Sequence, residues 1–407
     1  MRIALLGHGS RGDVQPMIAL GAALRRRGHV VVVGAPPGFS ETITAAGLEA
    51  QEVGQAARAY IESHAADYTA GALRGAVAVH RHMLEEVEAQ FRRVVDIARG
   101  CDLVVGAGLQ LAARSVAEAL SIAYRYVVYC PALLESRAHS PVLLPPSRLP
   151  AWANRFAWRA LQMIYNHTVL PALNRERRAL GLRPVLDLYH HVLGERPLLA
   201  TDPELARPPR DCAPRPEQTG YLHPDEGAPL PGELEAFLAA GPAPVYVGFG
   251  SMGCPAPATT TRTIGEALTS LGVRGIIGSG WAGLGDDLPD SCIRVDAVSH
   301  LRLFPRVAAA VHHGGAGTTA AAARAGVPQV VVPHIADQFY WGDRVARAGL
   351  GARPVPRAQL TARRLADAIA EALLSPETRR RAQAVGAALR RRDAAEATAD
   401  ALLAALD

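Results

Sequence analysis

Lysine is missing from the sequence of 407 residues, so all 43 basic side chains are arginines. The formal net charge is +5, but the arginines are scattered, and their short runs are typical of exposed helix faces. This distribution argues against a nucleic-acid-binding surface. Cysteine is scarce as well: the five residues are widely spaced and form no C-x-x-C pair, which argues against a disulfide framework and against a zinc site.

Long apolar runs are also absent from the sequence. No stretch of about 18 uninterrupted apolar residues occurs, so no transmembrane helix is predicted. The N-terminal sequence MRIALLGHGS has neither the long apolar core nor the small-residue cleavage site of a signal peptide. Together with the cysteine pattern, this predicts a soluble protein in a reducing compartment, the cytoplasm.

Short β-branched runs alternate with longer helical patterns along the chain, which predicts an α/β protein with parallel sheets built from βαβ units. A proline-rich stretch at residues 203–232 cannot form a continuous helix or a central strand. It separates two groups of predicted strands, so we expect two α/β domains of similar size. The strands are predicted at 2–7, 29–34, 102–106, 122–128, 243–252, 274–280, 293–298, 307–315 and 328–333.

The segment GHGSRGDVQP, residues 7–16, follows the first predicted strand and contains G-x-G-x-x-G, the spacing of a dinucleotide-binding loop. Two features argue against a nicotinamide or flavin cofactor. The second predicted strand ends in VVVVGAPPG, without the acidic residue that holds the ribose. Asp13 also places a carboxylate at the positive end of the following helix, where the phosphates of the cofactor would bind.

Asp13 has two interpretations that the local sequence leaves open. It is either a first-turn acid that caps the helix, a common use of aspartate worth about 1 kcal/mol, or a catalytic residue. The second interpretation follows from its place at the carboxyl end of the first strand, where doubly wound sheets bind ligands. There it would act as a general base and take a proton from an acceptor hydroxyl.

A second glycine-rich loop, HHGGAGTT at residues 312–319, lies between a predicted buried strand and an alanine-rich helix. Its small residues let backbone N–H groups approach a ligand, and no acid repels a phosphate from the positive helix end. Thr318 and Thr319 can cap the helix, and either His312 or His313 can donate a hydrogen bond to a phosphate oxygen. The loop predicts an anion site; the alternative is a tight turn with a partly buried histidine pair. G-K-[ST] is missing, so a P-loop hydrolase is not indicated.

Asp337 and Gln338 follow the last predicted strand, at the carboxyl end of the same sheet. A carboxylate beside an amide offers both acceptors and donors to adjacent hydroxyl groups. Because they lie beside the phosphate loop, the pair predicts sugar binding; the alternative is an aspartate that caps the next helix.

Five motifs that follow one another across nearly the whole chain resemble those of a known family. The family is the inverting, nucleotide-sugar-dependent glycosyltransferases of the GT-B fold, especially the antibiotic and sterol branches of family 1. The pair HHGGAGTT and DQFYWGDRV is especially similar to sterol glucosyltransferases, whereas the length and the APPGF after the second strand resemble the glycopeptide-antibiotic enzymes. The motifs are GSRGDVQP (9–16), GFGSM (248–252), GW (280–281), HHGGAGT (312–318) and DQFYWGDRV (337–345).

The resemblance implies the GT-B architecture, in which two Rossmann-like, doubly wound parallel-sheet domains face a central cleft and helices form the C-terminus. The acceptor-binding N-terminal domain is expected over residues 1–205, and the proline-rich linker over 206–240. The domain that binds the nucleotide sugar is expected over 241–390, and a terminal helix that packs back on the N-terminal domain over 391–407.

The resemblance also implies roles for individual residues. Asp13 takes the position of the general base, and His313 that of the histidine on the phosphate of the donor. Asp337 and Gln338 match the pair that binds the sugar hydroxyls. The other implied donor-binding residues are Ser10, Arg11, Gly12, Ser251, Gly315, Ala316, Gly317 and Thr318.

Recognition of the nucleotide base departs from the family pattern. Where plant members stack a tryptophan of W-x-P-Q on the uracil, this chain has AVSH at residues 297–300. Base recognition is therefore expected from backbone groups at Val298 and from Trp281, for which ordinary packing is the alternative. This leaves open whether the donor is a UDP-sugar or a dTDP-sugar.

The implied reaction is a single displacement that moves a hexose to a lipophilic or aromatic small molecule, such as a sterol, polyketide or antibiotic aglycone. Neither a cofactor nor a metal is expected, and the chain contains no D-x-D. A nucleotide-sugar epimerase of the same fold and a non-catalytic nucleotide-sugar-binding homologue are the alternatives. Asp13 weighs against the epimerase, which needs no acceptor-side base.

Acceptor contacts are expected from two segments of the N-terminal domain, residues 55–90 and 130–165. Their apolar and aromatic side chains indicate either core or pocket. These side chains are Tyr60, His64, Tyr68, His80, His82, Met83, Trp152, Phe156, Trp158 and Met163.

Overall fold

The first half of the chain forms a parallel sheet of seven strands in the order β3-β2-β1-β4-β5-β6-β7. The computed structural model describes residues 1–64, 66–67, 72–142, 149–224 and 228–404. The strands are β1 (Arg2–His8), β2 (Val30–Ala35), β3 (Glu49–Glu52), β4 (Leu103–Gly108), β5 (Ala123–Val128), β6 (Leu198–Leu199) and β7 (Glu217–Gln218). The helices are α1 (Arg11–Arg26), α2 (Ser40–Ala45), α3 (Ala57–Ser63), α4 (Ala72–Ala98), α5 (Ala113–Leu120), α6 (Ala151–Thr168), α7 (Leu170–Ala179) and α8 (Leu188–Leu193).

The second half forms a parallel sheet of five strands in the order β10-β9-β8-β11-β12. The strands are β8 (Val245–Gly248), β9 (Gly275–Gly278), β10 (Cys292–Val295), β11 (Ala309–His312) and β12 (Gln329–Val331). The helices are α9 (Gly232–Ala239), α10 (Pro257–Ser270), α11 (His300–Leu303), α12 (Ala316–Ala325), α13 (Asp337–Arg347), α14 (Ala362–Leu374), α15 (Pro376–Arg390) and α16 (Ala394–Leu403).

The predicted α/β class is confirmed, and each of the nine predicted strands is present. Three strands that the sequence pattern did not predict, β3, β6 and β7, are short. Strand β3 has the polar sequence EAQE and lies at the sheet edge, and β6 and β7 have two residues each. Such strands lack the buried β-branched run on which the prediction depends.

The order of the strands places a switch point in each sheet. Strand β1 lies between β2 and β4, and β8 lies between β9 and β11. After the first strand of each sheet, the chain adds two strands on one side and then crosses to the other side of that first strand. Ligands of doubly wound sheets bind outside the carboxyl ends of strands at such a point. The loops after β1, β8 and β11 are those that carry the GSRGDVQP, GFGSM and HHGGAGT motifs.

The last helix, α16, lies against the first domain. Ala399 and Leu402 are buried in the core cluster that contains Leu20 and Leu24 of α1. Arg27 forms ion pairs of 2.7 Å with both Glu396 and Asp400.

Within the described ranges, the longest helices are too short or too polar to cross a lipid bilayer.

Candidate active site

The turn between β1 and α1 places Asp13 in the first turn of the helix. Ser10 is the extended N-cap residue, and its backbone N–H donates a hydrogen bond of 2.8 Å to Oδ2 of Asp13. The capping interpretation of Asp13 therefore holds for one carboxylate oxygen. The other oxygen, Oδ1, makes no hydrogen bond within the described residues and is free to act on a ligand.

Two glycines make room for this carboxylate. Gly9 has φ +143°, and a Cβ at that position would collide with Oδ2 of Asp13. Gly108, at the end of β4, has φ +67°, and a Cβ there would lie 3.0 Å from Oδ1. The carboxyl group is thus held between the ends of two neighbouring strands, with Tyr129 donating a hydrogen bond of 3.2 Å to the backbone carbonyl of Asp13.

Burial and the negative charge of Asp337 raise the pKa of Asp13 to about 7, although the hydrogen bonds from Ser10 favour the ionised form. Asp13 is half-buried. The negative charge of Asp337, in the second domain, thus acts on the Asp13 carboxyl group of the first. A carboxyl group with a pKa near neutrality is suited to general acid–base chemistry.

The second glycine loop presents an open helix end to the cleft. Gly314 turns the chain with φ +90°, Gly315 is the N-cap of α12, and the helix begins at Ala316. Neither Thr318 nor Thr319 caps this helix, so the capping predicted as possible is wrong. Both lie inside its first turns, and the Thr319 hydroxyl donates back to the Gly315 carbonyl at 2.9 Å. Because a glycine N-cap has no side chain, the first amides of α12 remain open to an anion.

The two histidines of this loop have different environments. His312 is fully buried, donates through Nε2 to the side chain of Gln329 at 2.9 Å and accepts through Nδ1 from the Gly314 N–H at 3.0 Å. His313 packs between Gly250 and Gly315, and a Cβ on Gly315 would lie 2.5 Å from its Nε2. Burial, with the neighbouring histidines, lowers the pKa of His313 well below its ordinary value. His312 therefore supports the loop, and His313 is a neutral imidazole beside the open helix end.

Asp337 and Gln338 begin helix α13, and their side chains have different hydrogen-bond partners. The indole N–H of Trp341 donates to Oδ2 of Asp337 at 3.2 Å, and burial raises the pKa of Asp337 to about 6. Gln338 is 4% exposed, and its amide oxygen accepts from the N–H groups of His334 and Ile335 at 2.8 and 3.1 Å. The amide oxygen of Gln338 thus holds its own loop. Its amide nitrogen donates to Sδ of Met252 at 3.1 Å, so one N–H remains for a sugar hydroxyl.

The remaining residues predicted to bind the donor lie around the same ends of strands. Ser251 is buried just after β8, and the carbonyl of the preceding Gly250 accepts the N–H of Trp281 at 2.9 Å, which joins the loops after β8 and β9. Trp281 and Val298 are half-buried, whereas Arg11 and Gly12 are exposed in the first turn of α1.

The two halves of the site contact each other. Ala316, at the start of α12, packs against the core of the first sheet and also against a cluster that contains Cys130, Tyr221 and Trp341. In the described part of the chain, no group of three or more histidine, cysteine, aspartate or glutamate side chains is arranged to hold a metal ion.

Comparison with known proteins identifies the family. Residues 3–138 match the family described as "Glycosyltransferase family 28 N-terminal domain", and residues 281–402 match "Erythromycin biosynthesis protein CIII-like, C-terminal domain". The vancomycin aglycone glucosyltransferase of Amycolatopsis orientalis is 41% identical, over 98% of this chain and 96% of its own length. The chain belongs to the antibiotic and sterol glycosyltransferases of the GT-B fold.

More distant proteins agree with this assignment. A sterol 3-beta-glucosyltransferase of Arabidopsis thaliana is 29% identical, over 98% of this chain and 67% of its own length. The crystal structure of the glycosyltransferase VinC has a TM-score of 0.71 at 21% identity, covers 100% of this chain and 99% of its own, and shows the same fold. The predicted family, the GT-B fold and the enzyme class, a glycosyltransferase, are confirmed.

The two acceptor-side segments of this glycosyltransferase contain both core and surface. Tyr60, Met83 and Trp158 are buried, and Tyr68 lies outside the described residues. Trp152 and Phe156 on α6 are 74% and 70% exposed. The remaining side chains of these segments divide in the same way: His82 is buried, His64 and His80 are half-buried and Met163 is exposed.

Further residues, beyond those predicted from the sequence motifs, shape the glycosyltransferase cleft. Gly108 is the last residue of β4, Tyr129 follows β5 and Gly250 lies just after β8. The rule that ligands bind at the carboxyl ends of parallel strands would have found all three. Tyr221, which follows the edge strand β7 in the proline-rich segment, carries no comparable signal.

Replacing Asp13 by asparagine is expected to raise the melting temperature of this glycosyltransferase at pH 8. The folded protein holds the Asp13 proton up to about pH 7, whereas the unfolded chain loses it near pH 4. Stability therefore falls as the pH rises between these values, and it stays lower above them. Calorimetry should show the largest stabilisation at pH 8 and none below about pH 4.

The matched control for this measurement is Glu371→Gln, which neutralises an exposed carboxylate on α14. It should leave the melting temperature within error at every pH. If D13N melts at or below the wild-type melting temperature at pH 8, the raised pKa of Asp13 is contradicted.

Proposed function

We propose that this glycosyltransferase moves a hexose from a UDP- or dTDP-sugar to a hydroxyl group of a lipophilic small molecule, with inversion at the anomeric carbon. The observation that carries the proposal is the position of Asp13 in the same cleft as the uncapped start of α12. Asp13 is suited to removing a proton from the acceptor, and the start of α12 is suited to stabilising the charge that develops on the departing diphosphate.

On the acceptor side, Asp13 is the general base. Its Oδ2 is occupied by the Ser10 N–H, so Oδ1 takes the proton of the acceptor hydroxyl. The acceptor oxygen then attacks the anomeric carbon from the face opposite the nucleotide, which turns an α-linked donor into a β-glycoside. The raised pKa of Asp13 makes it a stronger base than an ordinary aspartate.

On the donor side, the open amides of Ala316, Gly317 and Thr318 and the imidazole of His313 bind the diphosphate. Asp337, with the amide nitrogen of Gln338, binds the sugar hydroxyls. The solved structure of VinC is a complex with dTDP, which supports a nucleoside diphosphate as the ligand of this fold. The names of the relatives, which act on the vancomycin aglycone and on sterols, support a lipophilic aglycone as acceptor.

The proposed reaction uses no cofactor and no metal ion. Helix α12 and His313 supply the hydrogen-bond donors and the positive potential for a leaving diphosphate. We therefore expect transfer at an unchanged rate in excess EDTA. A loss of activity that Mg²⁺ or Mn²⁺ restores would contradict this part of the proposal.

The product of the reaction tests the remaining parts. The purified chain is incubated with UDP-glucose or dTDP-glucose and with glycopeptide aglycones, sterols or polyketides, and products are detected by mass spectrometry. The anomeric proton coupling in the NMR spectrum should show a β-glycoside. An α-glycoside would contradict direct displacement, and hydrolysis or epimerisation without transfer would favour a different enzyme of this fold.

A further inference from the structure

Tyr221 lies between the two halves of the cleft, although it belongs to the proline-rich segment that joins the domains. Its side chain packs in the cluster that contains Cys130 of the first domain and Ala320 of the second. The residue is 5% exposed, and its N–H donates to Oδ1 of Asp202 at 3.2 Å. Its ring also meets the ring of His223 edge-on, with centroids 5.0 Å apart. The position of the ring is thus determined from several sides.

The hydroxyl group of Tyr221 points at the start of helix α12. A Cβ on Gly317 would lie 2.6 Å from this oxygen. Gly317 is the second residue of α12, and its amide is one of those that the helix leaves open. Within the described residues, the Tyr221 hydroxyl makes no hydrogen bond of its own, so it has a proton to donate to whatever binds at this helix end.

The charges around this hydroxyl keep it protonated. Burial raises its pKa, and the negative charges of Asp13, Asp202 and Asp337 raise it further. A phenol that remains neutral over the working pH range is a hydrogen-bond donor, as a phosphate oxygen requires. Two of these charges belong to Asp13 and Asp337, the proposed general base and sugar-binding carboxylate.

We infer that Tyr221 is a further donor-binding residue, whose hydroxyl donates a hydrogen bond to the diphosphate at the start of α12. The inference rests on the proposed function, because that function places the diphosphate there. It adds a ligand from the interdomain segment to those from the glycine loop. It also gives a reason for glycine at position 317, since a Cβ there would collide with the hydroxyl.

Binding of product nucleotides to Tyr221→Phe tests the inference. This substitution keeps the ring and its packing and removes only the oxygen. Calorimetry should show UDP or dTDP binding about 10- to 100-fold more weakly, the range that one hydrogen bond to a charged group accounts for. Uridine or thymidine, followed by ligand-observed NMR, should bind as to the wild type. The control is Tyr124→Phe. Tyr124 lies on strand β5, and its hydroxyl donates to the Val192 carbonyl at 2.7 Å. The Y124F variant should bind both ligands normally.

The possible outcomes separate this inference from the proposed function. If the wild type binds neither nucleoside diphosphate, the proposed function fails and the inference fails with it. If the wild type binds and Y221F binds equally well, only the inference is overturned. The inference is also overturned if Y221F weakens the binding of the nucleoside and of the nucleoside diphosphate to the same extent, because the hydroxyl then has a structural role.

A second variant tests the geometry without a ligand. Gly317→Ala should lower the melting temperature of the wild type, since the new methyl group meets the Tyr221 hydroxyl. The loss should be smaller in the Y221F background, where that oxygen is gone. Equal losses in the two backgrounds would show that the hydroxyl does not lie against Gly317 and would overturn the inference.

Discussion

Asp13→Asn is expected to slow glycosyl transfer by about 10²- to 10⁴-fold, the contribution typical of a general base. The asparagine oxygen can still accept the Ser10 N–H that Oδ2 of Asp13 accepts at 2.8 Å, so the cap of α1 and the loop geometry are retained. What is lost is the group that takes the acceptor proton. Initial rates with saturating donor and acceptor, followed by product chromatography, measure the effect.

The pH dependence of kcat/KM for the acceptor belongs to the same prediction. Because burial raises the pKa of Asp13 to about 7, the rate should rise with pH through this value and level off above it. The D13N variant should keep the donor affinity of the wild type and lose this rise. An unchanged pH profile in D13N would assign the titration to another group.

A suitable control for D13N is Asp102→Asn. Asp102 also accepts a backbone N–H, that of Arg2, at 2.8 Å, but it lies at the amino end of the same sheet, away from the cleft. D102N should transfer sugar at the wild-type rate. Near-normal transfer by D13N would contradict the general-base role, and a comparable loss in D102N would trace the effect to the fold.

His313→Ala is expected to reduce kcat/KM for the donor by about 10²- to 10³-fold, the effect of removing one preorganised donor to a developing anion. Its imidazole packs between Gly250 and Gly315 beside the open end of α12. The Nδ1 of His313 has no partner within the described residues, so the substitution breaks no internal hydrogen bond there. Steady-state kinetics at varied donor concentration and calorimetric binding of UDP or dTDP measure the loss.

The neighbouring histidine provides a matched comparison. His312→Ala removes hydrogen bonds to Gln329 and to the Gly314 N–H from a fully buried position. It should lower the free energy of unfolding by about 1–3 kcal/mol, because buried partners are left unsatisfied. H313A should unfold close to the wild type. Unchanged nucleotide affinity in H313A would exclude His313 from the phosphate site.

The sequence could not choose between these two histidines on residue type alone. His312 is the last residue of strand β11 and its side chain points into the core, whereas Gly314 with φ +90° turns the chain so that His313 reaches the cleft. The same turn explains the incorrect capping prediction. After this turn Gly315 is still extended, so the helix begins at Ala316, and Thr318 and Thr319 lie within it.

For Gln338, too, the sequence did not show which partner the side chain has. Its position beside Asp337 predicted a sugar ligand, but its amide oxygen accepts the N–H groups of His334 and Ile335. An amide that follows a short turn satisfies nearby backbone groups at little entropic cost. Sequence position alone does not show which partner a polar side chain has.

By itself, the sequence determined nine of the strands, the two glycine loops, the helix starts that carry Asp13 and Asp337, and the family to which the chain belongs. These features follow from local signals: buried β-branched runs, glycines at tight turns and motifs of fixed spacing. Only the tertiary structure decided that Asp13, Tyr221 and Gly317 share one cleft. They lie far apart along the chain, and their proximity arises from the packing of two sheets and the segment between them, which no local pattern encodes.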